Sequence, residues 1–117
     1  MIGLVLALAG GLGAVFRFLL DTWLDRLVHK SGLFIINVSG SFLLGLLMGW
    51  AAAHAEAAAV ARVFGTGFLG GYTTLSAALV DSARLARDGR RLLSLAHAFG
   101  MAIPAVAAAA LGLFLAT

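Results

Sequence analysis

Long apolar runs alternate along the chain with short polar clusters, and four of those runs are long enough to cross a bilayer. A membrane-spanning helix needs roughly 20 consecutive apolar residues. The pattern predicts spans at about 1–20, 33–53, 63–80 and 92–116. Connectors fall at 21–32, with Asp25, Arg26, His29 and Lys30, at 54–62, with Glu56, and at 81–91, the most charged segment. The first run carries Arg17 and no basic leader, which reads as a retained span and not as a cleaved signal peptide. Trp23 and Trp50 stand at span ends, where interfacial aromatics belong, and Pro104 predicts a kink in the fourth span. The expectation is an all-α membrane protein, a single four-helix domain over 1–117 with the third helix broken near mid-membrane.

Composition sharpens that reading. The chain has 117 residues, 62% hydrophobic and 11% charged, with a mean hydropathy of +1.07. A soluble globule of this size cannot hide so much apolar surface. The absence of cysteine removes disulfides, thiolate metal sites and cysteine nucleophiles. Its three histidines, His29, His54 and His97, share no metal-ligand spacing, and no nucleophile–base arrangement is visible. An enzyme is not expected.

Charge placement matters more than the net +3. Arg26, Lys30, Arg84, Arg87, Arg90 and Arg91 fall on the first and third connectors, whereas the opposite side holds Arg62 alone. Basic residues concentrate on the cytoplasmic side. Six against one places both termini outside the cytoplasm, in a multi-pass protein of the cell (inner) membrane. The basic pI is a topology signal, so no nucleic-acid partner is expected.

Polar groups at lipid depth must find a partner or line a wet path. Asn37 and Ser41, four residues apart, share a helix face with Gly45. They can offer hydrogen-bond donors to a dehydrated anion, or they can tie helices together. Gly65, Gly67, Gly70 and Gly71 crowd one segment, with Thr73, Thr74 and Ser76 directly after. Gly67-x-x-x-Gly71 and Gly45-x-x-x-Gly49 fit close helix packing. The same glycines weaken a helix, and a break would free carbonyls suited to a hard cation such as Na⁺. Phe64, Phe68 and Tyr72 form a packing stripe. Arg17 is a topology anchor or an attractor of anions. Asp81 can pair with Arg17 or with Arg84.

Three blocks occur in order: Gly10-Gly11-Leu12-Gly13-Ala14-Val15-Phe16-Arg17-Phe18, Asn37-Val38-Ser39-Gly40-Ser41-Phe42-Leu43-Leu44-Gly45 and Gly67-Phe68-Leu69-Gly70-Gly71-Tyr72-Thr73-Thr74. Together they closely resemble the CrcB/Fluc family of fluoride channels, and the likeness spans nearly the whole chain. The resemblance implies an antiparallel dimer of four-helix subunits with two narrow fluoride pores at the subunit interface. It implies passive export of F⁻ from the cytoplasm, which reduces fluoride toxicity. It also implies a structural, untransported Na⁺ on carbonyls of the third-helix break, which by motif position belong to Gly70 and Thr73. The pore asparagine falls on Asn37, with Ser41 beside it. Thr74 and Ser76 fall in the pore segment, and the family's arginine and acidic positions fall on Arg17 and Asp81.

Two departures stand out. Where the family carries two pore phenylalanines this chain has Leu75 and Ala78, and the stretch 100–116 holds no hydroxyl. An antiparallel homodimer also needs one sequence to insert both ways, which the charge asymmetry opposes. The expected partner is therefore a homologous subunit of opposite bias, a distinct paralogue, that carries the missing rings. Two other classes stay in view. One is a non-conducting assembly subunit. The other is a small multidrug-resistance-type antiporter, which would need a carboxylate in a span centre where none stands.

Overall fold

The computed structural model describes residues 1–27 and 32–117, apart from the side chain of Leu75. His29 and Lys30, both used in reading the first connector, lie outside the described residues. Helix α1 covers Ile2–Leu27 and α2 covers Gly32–Ala53. A third helical segment, α3, fills 55–72 in four steps. It begins as a 3₁₀ turn (Ala55–Ala57) and one α turn (Ala58–Ala61), continues as a π-helical stretch (Arg62–Leu69) and ends as a last α turn (Gly70–Tyr72). After a break at Thr73 and Thr74, α4 runs over Leu75–Arg87 and α5 over Arg91–Ala116. Among the described residues, four helical segments are long and apolar enough to cross a membrane, the third being Ala55–Arg87 with the break inside it. The molecule measures 50 × 29 × 26 Å. Its long axis matches a bilayer of about 40–45 Å including headgroups.

Helices run past the apolar limits read from the sequence. Helix α1 continues two turns beyond residue 20, through Asp21 and Asp25, and α4 continues to Arg87. Hydropathy marks where lipid ends, while a helix ends where a capping residue stops it. At the end of α4 that residue is Gly89, with φ of 81°. Gly89 N–H donates to Ala86 O and Arg90 N–H to Leu85 O, which is the Schellman arrangement. Helix α5 passes through Pro104 as one continuous helix.

Helix α2 lies along α5, and α1 lies along the π-helical stretch and last turn of α3, while α4 packs on α5. Both small-residue motifs act in packing. A side chain at Gly45 would meet the backbone of Ala109 and Leu113, and one at Gly71 the backbone of Gly10. The buried core is small: Leu24, Ile36, Leu69 and Tyr72, with Leu20, Ile35, Leu47 and Phe68 against it. Phe68 and Tyr72 stack at 6.3 Å between ring centroids and Phe16 leans on both, whereas Phe64 faces outward. The Tyr72 hydroxyl meets Ser39 Oγ at 3.1 Å, so its polar tip is satisfied. Outward faces carry large apolar side chains such as Leu8, Leu12, Val15, Ile103, Val106 and Phe114. Exposed apolar surface on this scale calls for lipid or a partner subunit.

Candidate functional site

The break begins with two threonines. Thr73 N–H and Thr73 Oγ1 both donate to Leu69 O, each at 2.9 Å, which closes the last turn of α3. Thr73 and Thr74 then take extended backbone conformations, φ −82°, ψ 153° and φ −148°, ψ 110°. Thr74 Oγ1 accepts Ala77 N–H at 3.4 Å and so caps the start of α4. Threonine suits both tasks because its hydroxyl competes with the helix for nearby backbone groups.

Thr74 has its partner on another helix. Its N–H donates to Asn37 Oδ1 at 2.9 Å, and Asn37 Nδ2 donates to Thr74 O at 3.0 Å. Asn37 is 8% exposed. Helix α2 comes this close because Gly40, one turn on, has no side chain. A Cβ there would collide with Thr73 Cγ2 and press on the Tyr72 ring. Asn37, Ser41 and Thr73 then open onto one groove of about 270 Å³. Its far wall is α5, which contributes Met101, Ala102, Ala105 and Val106. That wall offers no hydroxyl, as the composition of 100–116 requires.

Of the residues singled out in the sequence, Asn37, Ser41 and Thr73 meet in the groove, and Thr74 joins them through Asn37. Ser76 sits apart on the exposed side, where its hydroxyl meets Thr74 Oγ1 at 3.1 Å. An amide nitrogen carries two hydrogens, so Asn37 Nδ2 retains one beyond its bond to Thr74. The break also redirects main-chain donors. In an uninterrupted helix Thr74 N–H would cover Gly70 O and Ala77 N–H would cover Thr73 O. Here those hydrogens go to Asn37 Oδ1 and Thr74 Oγ1. Gly70 and Thr73 thus present neutral carbonyl oxygens, a donor type that suits a hard cation.

Ala78, in one of the aromatic positions of the resembling family, is 2% exposed. It therefore faces packed helix and not an open groove. Ala78→Phe is expected to destabilise the fold by about 1–3 kcal/mol through overpacking and not to restore a ring to the groove. Thermal unfolding of the detergent-solubilised chain checks this, and a stability equal to the unsubstituted chain contradicts it.

Arg17, half-buried, places Nε 3.5 Å from Gly71 O, just before the break. Between Arg17 and Arg84, Asp81 takes Arg84, 3.8 Å away and largely exposed. Such a pair contributes roughly 0–1 kcal/mol. A separate cleft of about 660 Å³ collects Arg17, Asp21 and Asp25 from α1 with Asp81, Arg84 and Asp88 from the end of α4. The first and third connectors therefore share one end of the molecule, and Arg62 lies with the other end of α2, beside Ala51 and Ala52. Sequence reading missed this cleft, although Arg17, Asp21 and Asp25 recur at a spacing of four and so share a face. It also missed His97, whose Nδ1 lies 2.8 Å from Ser82 Oγ, with Ser94 Oγ donating to Ser82 O. That contact joins α4 to α5 across the Gly89 turn, and no periodicity announces it.

Comparison with known proteins gives a consistent result. The family described as CrcB-like protein, Camphor Resistance (CrcB), matches residues 4–113. The chain is 42% identical over 118 residues to Fluoride-specific ion channel FluC 1 of Leifsonia xyli subsp. xyli, covering 98% of this chain and 86% of the relative. It is 46% identical over 112 residues to Fluoride-specific ion channel FluC 2 of Cutibacterium acnes, covering 92% and 91%. It is also 39% identical over 116 residues to Fluoride-specific ion channel FluC of Rhodopseudomonas palustris, covering 96% and 94%.

Proposed function

Because the chain belongs to the CrcB family, we propose that it is a subunit of a fluoride-specific channel that lets F⁻ leave the cytoplasm passively and so limits fluoride toxicity. The observation that carries this reading is the groove lined by both Asn37, whose Nδ2 keeps a second hydrogen beyond its bond to Thr74, and the hydroxyl-bearing Ser41. Fluoride is small, hard and strongly hydrated, so a pore must replace its water with close donors. Amide and hydroxyl hydrogens supply them, and conduction requires that they hold the ion only briefly. The names of the relatives favour the same ion. Passive movement fits the placement of the acids. Asp21, Asp25, Glu56, Asp81 and Asp88 stand toward helix ends and in connectors, away from span centres, where a coupling carboxylate would have to be.

The same reading includes a structural Na⁺ held by the carbonyls of Gly70 and Thr73. Bound there, the ion would supply positive charge that fixes the break and is not itself transported. It includes an antiparallel dimer with a homologous subunit, since one chain offers the groove a donor side and an apolar side. It further includes an orientation with both termini outside the cytoplasm. The basic ends of α1 and α4 gather at one end of the molecule, which supports that orientation. A second reading, a non-conducting assembly subunit, is favoured by the buried Ala78 and the wholly apolar α5 wall.

A fluoride electrode on proteoliposomes tests the proposal. Vesicles containing this chain together with a homologous subunit are expected to release fluoride and to retain chloride. Ser41→Ala in this chain should slow that release by about tenfold or more, as the loss of one hydrogen bond to a charged ion costs roughly 1.5–3 kcal/mol. Release at an unaltered rate removes Ser41 from the pore. Absence of release from every combination that contains this chain overturns the conducting reading and leaves the assembly one.

A further inference from the structure

We propose that Asn37 is a positioning residue that holds the third span open by clamping both main-chain groups of Thr74. Its chemistry is that of a peptide group, one acceptor and one donor side by side. It binds Thr74 as a neighbouring β-strand would, with Thr74 N–H on Oδ1 at 2.9 Å and Nδ2 on Thr74 O at 3.0 Å. No proline interrupts this segment, and the glycines that weaken it, Gly65, Gly67, Gly70 and Gly71, all lie inside helical turns. Threonines are tolerated in helices. Nothing local therefore obliges Thr73 and Thr74 to be extended.

The two threonine hydroxyls do not account for it either. Thr73 Oγ1 covers Leu69 O and Thr74 Oγ1 caps α4. Both finish helices that have already parted, and neither touches the amide or the carbonyl of Thr74. Asn37 touches both, from 37 residues away in sequence. Without it, Thr74 N–H has Gly70 O within reach by simple continuation of the helix, while Thr74 O, the N-cap carbonyl of α4, keeps the first intrahelical bond in either state. In a membrane interior the unsatisfied Thr74 N–H is costly enough to drive that closure. Closure would re-cover Gly70 O and, with the next turn, Thr73 O. The groove amide and the exposed carbonyls are thus set by one side chain acting through one residue, Thr74.

The test reads backbone conformation in the full chain, purified and reconstituted in lipid. Its threonines are Thr22, Thr66, Thr73, Thr74 and Thr117, and only Thr73 and Thr74 are adjacent, so labelled threonine gives an assignable pair. The ¹³Cα and carbonyl shifts of Thr74 are expected in the extended range. In Asn37→Leu they should move to the helical range, while Ser41→Ala, which alters the same groove, should leave them extended. Asn37→Asp is the near-isosteric rescue. At a pH at which its carboxyl is protonated it can make both bonds, and the extended shifts should persist. Extended shifts in Asn37→Leu overturn the proposal. So does their loss in Ser41→Ala or in protonated Asn37→Asp. The inference deepens the proposed fluoride site, yet its readout does not require conduction: an open break with no fluoride release would count against the channel reading alone.

Discussion

Gly71→Ala and Gly13→Ala are each expected to leave little correctly folded protein, whereas Gly11→Ala is expected to behave as the unsubstituted chain does. The three substitutions add the same methyl group to neighbouring helix surfaces, and only their surroundings differ. A Cβ at Gly71 would run into the carbonyl and Cα of Gly10, and one at Gly13 into the carbonyl of Phe68 and the amide of Tyr72. These obstacles are backbone, so no rotamer change relieves them and the helices must move apart. Overpacking of an ordinary core costs about 1–3 kcal/mol, and a collision with main chain belongs at or above the top of that range. Association of helices in lipid depends on close packing, without a hydrophobic drive to compensate, so α1 loses its hold on α3. Gly11 has nothing within 4 Å, and alanine there improves helix propensity by up to about 1 kcal/mol. Gel filtration and thermal unfolding in detergent separate these outcomes. A monodisperse Gly71→Ala protein with unaltered melting would falsify the packing argument.

Those glycines also show what the sequence could and could not reveal. The four spans are legible because an apolar run longer than a bilayer has few other uses, and the small-residue motifs are legible because their spacing of four matches a helix face. The glycine cluster promised both close packing and a break. The structure assigns the packing to the glycines and the break to the threonines directly after them, Thr73 and Thr74. The two threonines are a local capping signal, but the side chain on α2 that clamps Thr74 is not local. Asn37 was visible as a costly polar residue at lipid depth, but its partner was not, since a 37-residue separation has no signature in one sequence. The choice of Arg84 by Asp81 was hidden for the same reason: two bases stood near in the pattern and only the fold decides between them. Polar residues are thus readable as positions that need a partner, while the partner itself is a tertiary fact.

Reconstituted alone, this chain is expected to release fluoride at least about tenfold more slowly than when it is paired with a homologous subunit. A dehydrated anion needs ligands around it, and a hydrogen bond to a charge contributes roughly 1.5–3 kcal/mol. The loss of even one such ligand corresponds to a factor of about ten or more in rate. This chain supplies the Asn37 amide and the Ser41 hydroxyl on one side of its groove. No aromatic ring among the described residues lines that groove, and Met101, Ala102, Ala105 and Val106 give the opposite wall nothing to donate. Two copies of the same chain would repeat these gaps in both pores. Aromatic edges can bind an anion, so a partner that brings them would complete what this chain begins. Charge leads to the same conclusion independently. The basic residues of the α1 and α4 ends bias insertion to one direction, and an antiparallel pair then needs a second sequence that prefers the other. The measurement is fluoride efflux from vesicles matched for protein content, with each subunit alone and with both together. Equal rates for this chain alone and for the pair would show that its own groove suffices. Release only from the pair would place the missing ligands on the partner, and a partner whose basic residues favour the opposite orientation would explain both the gaps in the groove and the asymmetry of charge.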